Sequence, residues 1–159
     1  MLVYRLPDGK ITAFFTDDVI AHFRHHRQCW PWSREAGGQL FARFSDSKIE
    51  ICKVTGPSIE DRRGRFWFLP DRKKENQEIR ECFIEGLHYI GDWHTHPQVH
   101  PTPSAEDLLS IAECFKKSDH ELFAFLIVIV GTHDFPHGLW VGWHDGNTTM
   151  GLEAEKGDG

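Results

Sequence analysis

An α/β (α+β) fold, a mixed central β-sheet flanked by about three helices, is predicted by three features of this 159-residue chain. Residues 123–130, FAFLIVIV, are an unbroken apolar run of β-favouring residues, the pattern of a strand covered on both faces. Stretches beginning near Thr16, Pro70 and Ser104 carry apolar residues at helical spacing behind residues that favour helix starts. Short β-prone segments bounded by turn residues lie between them.

Taken in order, residues 2–5 and 11–15 are two short strands joined through Pro7-Asp8-Gly9 as a hairpin. Thr16-Asp17-Asp18 caps a helix whose Val19, Ile20 and Phe23 form its packing stripe. Trp30-Pro31-Trp32 ends it, and core is the commoner fate for two such tryptophans, with an exposed contact surface as the alternative. The segment 33–44 starts a strand that pairs with 48–55 across Ser45-Asp46-Ser47, and Gly37 and Gly38 remove side chains where a backbone or ligand can approach closely. Residues 56–65 read as a polar loop in which Arg62, Arg63 and Arg65 are the only concentration of charge, composition favouring a solvated loop over a binding patch. Phe66 to Leu69 is a further strand.

Pro70-Asp71 opens a charged helix with Ile79, Cys82 and Phe83 on its apolar face and Gly86 as its stop. His88 to His94 is a buried strand, and Ser104 to Lys117 an amphipathic helix with Leu108, Ile111, Ala112 and Phe115 at i, i+3, i+4 and i+7. Residues 123–130 supply the central strand and 138–143 another. We expect one domain over 1–150 and a frayed polar tail over 151–159.

Composition narrows the function. A 40% apolar content allows a real core, and a net charge of -6 argues against a surface built to neutralise phosphates. Nucleic acid is therefore not the expected partner. The four cysteines stand apart at 29, 52, 82 and 114, so neither a cysteine zinc site nor a disulfide scaffold is indicated, and a reducing cytoplasm is the expected location. No apolar run has the length of a membrane span. Most of the eleven histidines, His22, His25, His26, His133, His137 and His144 among them, read as solvated or structural.

The chemistry concentrates in Gly91 to Asp107, GDWHTHPQVHPTPSAED. His94 and His96, two apart on an extended segment, face the same side, so both imidazoles can reach one ion. Ser104-Ala-Glu-Asp107 has the form of a helix cap with an acid three residues on, which holds Asp107 in the first turn. Two histidines and one carboxylate leave a tetrahedral zinc one position short, the mark of a catalytic site, and zinc at such a site suits amide hydrolysis at neutral pH once a base is supplied.

His94-Thr-His96, seven residues, Ser104, two residues and Asp107 match without a gap the His-x-His-x7-Ser-x2-Asp signature of the JAMM metalloproteases of the Jab/MPN family. Glu35-Ala-Gly-Gly-Gln-Leu40 resembles that family's upstream Glu-x-Gly-Gly-x-Leu segment, with Phe41-Ala42 departing from the glycine many members carry there. The resemblance spans nearly the whole chain and implies a cytidine-deaminase-like MPN core, one Zn2+ held by His94, His96 and Asp107, Glu35 as general base, and Ser104 as a hydrogen-bond donor to the developing oxyanion. Such proteins cut peptide or isopeptide bonds after the C-terminal glycine of ubiquitin, a ubiquitin-like protein or a sulfur carrier. RFWFLPDR, a helix, then GDWHTHPQVHPTPS is similar to the deconjugating peptidases of CBASS anti-phage operons, which implies a conjugated cyclic-oligonucleotide synthase (CD-NTase) as protein substrate. Processing of a sulfur carrier or ubiquitin-like tag, a RadC-like DNA-associated role, and a non-catalytic MPN scaffold are the alternatives. The acidic composition and the Glu35 segment weigh against the DNA-associated role, and the complete ligand set against the scaffold.

Overall fold

The apolar run near the C-terminal end builds the middle of the sheet. The computed structural model describes residues 1–118, 120 and 122–156. The chain forms β1 (Leu2–Arg5), β2 (Thr12–Phe15), α1 (Asp17–His25), β3 (Gly37–Ser45), β4 (Lys48–Val54), β5 (Arg62–Arg63) and β6 (Phe68–Leu69). It continues through α2 (Arg72–Ile84), β7 (His88–Thr95), α3 (Ala105–Lys117), β8 (Phe125–Val130), β9 (Leu139–His144) and β10 (Thr149–Leu152). Eight strands make one sheet in the order β1-β2-β4-β3-β7-β8-β9-β10, while β5 and β6 pair as a separate hairpin. The sheet is mixed: β2 with β4 and β7 with β8 run parallel, and its other pairs are antiparallel.

Strand β8 shows why the sheet carries helices on both faces. Its side chains alternate, so Leu126, Val128 and Val130 join the core formed with Val19, Ile20 and Phe23 of α1, while Phe125, Ile127 and Ile129 pack with Ile111 of α3 on the other side. Helix α2 lies against a smaller cluster of Cys82, Phe41 and Leu87. Each such fully buried aliphatic or aromatic side chain contributes about 1.5–3 kcal/mol. The expected solvated or structural part for the histidine-rich helix fits His22, whose Nε2 donates to the Gly56 carbonyl at 2.7 Å. All four cysteines are free, and among the described residues no helix is long and apolar enough to cross a membrane.

Several expectations change. Thr16 stands at the N-cap of α1, but its side chain makes no capping bond and its Oγ1 is buried without a partner. Residues 56–65 are not all loop, since Arg62 and Arg63 pair with Leu69 and Phe68. Trp30 and Trp32 do not enter the core and are 61% and 75% exposed. Of the face expected for α3, Ile111 is buried but Leu108 is not. The tail expected from Gly151 begins inside the sheet instead: Gly151 and Leu152 pair with Gly142 and Val141, Ala154 bridges to Tyr4, and Glu155 N–H donates to the Val3 carbonyl. Free backbone groups on β9 and β1 hold this polar segment in place. The rest of the expected tail, 157–159, lies outside the described residues.

Helix α2 departs most from its apolar pattern. Asp71 caps it as expected, accepting from Lys74 N, and Gly86 ends it at φ +81°. Phe83, however, is 67% exposed, and the residues α2 buries are Cys82 and Glu75. The Arg72 guanidinium donates to Glu75 Oε1 at 2.9 Å. Burial, and then the neighbouring Asp92 carboxylate, outweigh that cation and push the Glu75 carboxyl up to about 8. An unfolded Glu75 releases its proton near 4.5, so the folded state holds the extra proton between these values. This contribution to stability is complete below about 4.5 and is lost as pH rises through about 8. Glu75→Gln should remove that loss, so thermal unfolding should show the variant gaining on the parent between about pH 5 and pH 8. A gap between the two proteins that does not change with pH would show that Glu75 is not the titrating group.

Candidate metal centre and catalytic site

Strand β7 delivers His94 and His96 to one face of the sheet, and its neighbour Thr95 to the other. The loop after β7 then turns into α3, whose first turn closes on the same point. Ser104 and Asp107 form a reciprocal capping box: Asp107 N–H donates to Ser104 Oγ at 3.0 Å, and Ser104 N–H donates to Asp107 Oδ2 at 2.9 Å. The cap turns the Asp107 carboxylate toward the strand. Its Oδ1 lies 3.1 Å from His94 Nε2 and its Oδ2 3.3 Å from His96 Nε2, and the two Nε2 atoms are 3.1 Å apart. Bonds of about 2.0–2.1 Å to a tetrahedral zinc put its ligand atoms about 3.3–3.4 Å from one another, and these separations, with one carboxylate oxygen turned to each imidazole, are close to that spacing.

His96, a candidate ligand, is oriented by a residue that motif spacing does not mark. Gln98 Oε1 accepts from His96 Nδ1 at 3.0 Å and from Thr102 N–H at 3.2 Å. An amide oxygen only accepts, so a proton is held on Nδ1 and Nε2 is the nitrogen turned toward Asp107 and the site.

Glu35 arrives from the segment preceding β3, with a carboxylate oxygen within 4.8 Å of ligand nitrogens on both His94 and His96. The two carboxyls are pushed in opposite directions. Burial raises Asp107, but hydrogen bonds from His94 and His96 more than offset it and hold this carboxyl well below the usual range. Burial also raises Glu35, and there it prevails over the two histidines, with Asp107 and Glu106 adding to the rise. Asp107 thus has the properties of an anionic ligand, and Glu35 those of a group that can take and return a proton.

The backbone of Glu35 is held on both sides. Its N–H donates to the Gly64 carbonyl at 2.6 Å and its carbonyl accepts from Arg63 Nε at 2.7 Å, both groups belonging to the β5–β6 hairpin. On the β7 side, Thr95 Oγ1 accepts from Ala36 N at 2.9 Å and donates to Gln28 Oε1 at 2.7 Å, while Thr95 N–H donates to the Ala36 carbonyl at 2.8 Å. Gln28 Nε2 in turn donates to the carbonyls of Ser33 and Arg65. The glycines after Glu35 permit close packing: a Cβ on Gly38 would lie 1.8 Å from the Thr55 carbonyl oxygen, and one on Gly37 2.9 Å from the Phe68 ring.

All five residues singled out in the sequence, Glu35, His94, His96, Ser104 and Asp107, line one cavity of about 520 Å³. Ser104 Oγ acts as an acceptor in the cap, which leaves its hydroxyl proton available to the cavity. Gln28, Thr95 and Gln98 escaped the sequence reading, and Arg63 was marked there only as part of a charged loop. Of the three, only Thr95 carried a signal, a hydroxyl placed by strand alternation on the core side between two site histidines.

The sequence profile described as prokaryotic homologs of the JAB domain matches residues 16–141. The chain belongs to this family. Among curated proteins, this JAB-family chain is 30% identical over 110 residues to a Pseudomonas aeruginosa CD-NTase/cGAS isopeptidase, covering 67% of the chain and 70% of that protein. It is 28% identical over 127 residues to a Vibrio cholerae protein of the same name, covering 78% and 76% respectively. Its fold is similar to that of Desulfitobacterium hafniense protein DSY2949 in solution, with a TM-score of 0.60 at 19% identity over 91% of the chain and 90% of that structure. The JAB-family protein is a bacterial JAB/MPN protein of the CBASS type and a hydrolytic peptidase.

The Thr95 hydroxyl should matter to both folding and activity. Thr95→Val leaves Ala36 N–H and Gln28 Oε1 without these partners inside the protein, so urea unfolding should show a loss of ~1–3 kcal/mol. Thr95→Ser should retain most of the stability. Peptidase activity of Thr95→Val, measured while the variant is fully folded, should fall as Glu35 loses register. A variant equal to the parent in both measurements would remove Thr95 from this role.

Proposed function

We propose that the chain is a zinc-dependent isopeptidase that cleaves after the C-terminal glycine of a ubiquitin-like or conjugated protein, and that it releases a CD-NTase from conjugated targets in anti-phage defence. The observation that carries the reading is the convergence of His94, His96 and Asp107 at nearly tetrahedral spacing with Glu35 beside them in one cavity. The substrate assignment draws on the relatives named CD-NTase/cGAS isopeptidases.

The donor set, two imidazole nitrogens and one carboxylate, is of the kind that holds catalytic zinc with a position left open. Bound there, zinc supplies Lewis acidity toward a carbonyl and makes water a stronger acid. Glu35, raised above an ordinary carboxylate, takes the proton of the attacking water and returns it to the leaving amine. The Ser104 hydroxyl donates to the carbonyl oxygen as charge develops there. Gln98 keeps His96 in the ligating tautomer. The chain acts as one domain in this reading.

Glu35→Ala should keep about one zinc per chain by elemental analysis and lose about 10²–10⁴-fold in cleavage of a glycine-linked protein conjugate. Cleavage at the parent rate would remove Glu35 as the base. His94→Ala should lose the zinc itself, and a fully loaded His94→Ala protein would overturn the ligand assignment. Gln98→Ala should retain the ligands but weaken zinc affinity about 10–100-fold in a chelator competition.

A further inference from the structure

Trp30 and Trp32 are stacked outside the core, their ring centroids 5.4 Å apart and their planes within 6° of parallel. The loop that carries them is built to hold this shape. Ser33 N–H donates to the Trp30 carbonyl at 3.0 Å and Trp30 N–H to Ser33 Oγ at 3.2 Å. Arg65 reaches across from the β5–β6 hairpin to donate to the carbonyls of Trp30 and Pro31, and its guanidinium lies 5.3 Å from the centroid of the Phe66 ring. Phe66 is 74% and Trp67 51% exposed, and both line the cavity that contains Glu35 and His94. The hairpin that braces the tryptophan loop also holds the Glu35 backbone. The exposed tryptophan pair is thus tied through Arg65 to the hairpin whose Phe66 and Trp67 line the cavity. Exposed large aromatic side chains gathered on a braced loop and the hairpin beside it mark an interaction site.

Charge narrows what the surface can take. Arg34 and Arg62 are exposed, Arg63 and Arg65 half-buried, and none of the four forms an ion pair among the described residues. Burial, and then nearby Arg34, lower the Arg63 guanidinium against an opposing effect of Asp61. This concentration belongs to a chain whose net charge is -6. Unpaired cations beside aromatic faces complement an anionic partner with apolar side chains. A nucleic acid strand could also use arginine and stacked aromatics. The hairpin shared with a peptidase cavity and the acidic remainder of the chain favour a polypeptide.

We propose that Trp30, Trp32 and the rim of Arg34, Arg62 and Arg65 dock an extended acidic segment of the protein substrate, one apolar side chain lying on the paired indoles. The identity of the occupant rests on the isopeptidase reading. The test reads binding separately from cleavage.

Fluorescence anisotropy would follow a labelled peptide of about ten residues, four acidic and one leucine, ending in diglycine. A second peptide has glutamine at the acidic positions, and a third probe is an oligo(dT) of about ten nucleotides. The parent should bind the acidic peptide at least about tenfold more tightly than either other probe, and that preference should disappear in the double variants Trp30→Ala/Trp32→Ala and Arg34→Glu/Arg62→Glu. Thermal unfolding of both variants should match the parent, because the substituted side chains are exposed. Equal binding of the two peptides, parental binding by both variants, or tighter binding of oligo(dT) would overturn the proposal, the last in favour of nucleic acid. Selective peptide binding with no cleavage of a glycine-linked conjugate would leave the docking site standing and sink the isopeptidase reading. Cleavage with unselective binding would do the reverse.

Discussion

The pair of backbone and hydroxyl contacts between Thr95 and Ala36 is the constraint on which the site depends. Thr95 is fully buried, and its neighbours on both sides point their imidazoles the other way. A one-residue slip of β7 against the segment before β3 would carry the histidines into the core and the hydroxyl into the cavity. The bonds to Ala36 and Gln28 penalise that slip, because each would leave a buried polar group unmatched. Register and site geometry are therefore specified by the same few atoms.

Around that fixed register the remaining parts are braced from different directions. The capping box sets Asp107 by local chain geometry, the Gln98 amide sets the His96 ring, and the β5–β6 hairpin sets Glu35 through its backbone. Rigid support of this kind lets two carboxyls a few ångströms from the same histidines keep different protonation behaviour. Asp107 is stabilised as an anion by donors aimed at it, while Glu35 faces a drier environment without comparable direct hydrogen bonds. The glycines after Glu35 have a packing role in this support, since the backbone of Thr55 and the ring of Phe68 occupy the space a side chain would need.

Much of this was legible in the sequence where one local rule governed the outcome. The unbroken apolar run of β8, the turn-bounded hairpins, the stop at Gly86 and the Ser104–Asp107 cap all follow from short-range chemistry, and the structure has each of them. His94, His96 and Asp107 could be named as candidate ligands because their spacing on a strand and a helix start is itself geometric, whereas Glu35 and the roles of the set came from the resemblance to the Jab/MPN family. Legibility failed where tertiary context chose between equal options. Phe83 faces solvent and Glu75 is buried because α2 covers the cavity edge with its charged side, where Arg72 and Asp92 also lie. Trp30 and Trp32 remain outside because Arg65, 33 or more residues away in sequence, holds their loop on the surface. Gln28 and Gln98 are ordinary amides until the fold supplies their partners, and the segment after Leu152 is polar yet finds free backbone on β1.

The candidate ligands and the proposed base also differ in how far apart their residues lie along the chain. His94, His96 and Asp107 belong to one strand, loop and helix start, and can meet once that short unit has formed. Glu35 joins them only when contacts between residues 59 apart, such as Ala36 with Thr95, have closed. Loop closure of that length is among the slower steps of assembly. In the proposed reading, a newly made chain can gather the ligands of its ion before its base is in place, so hydrolytic competence arrives only with the completed sheet.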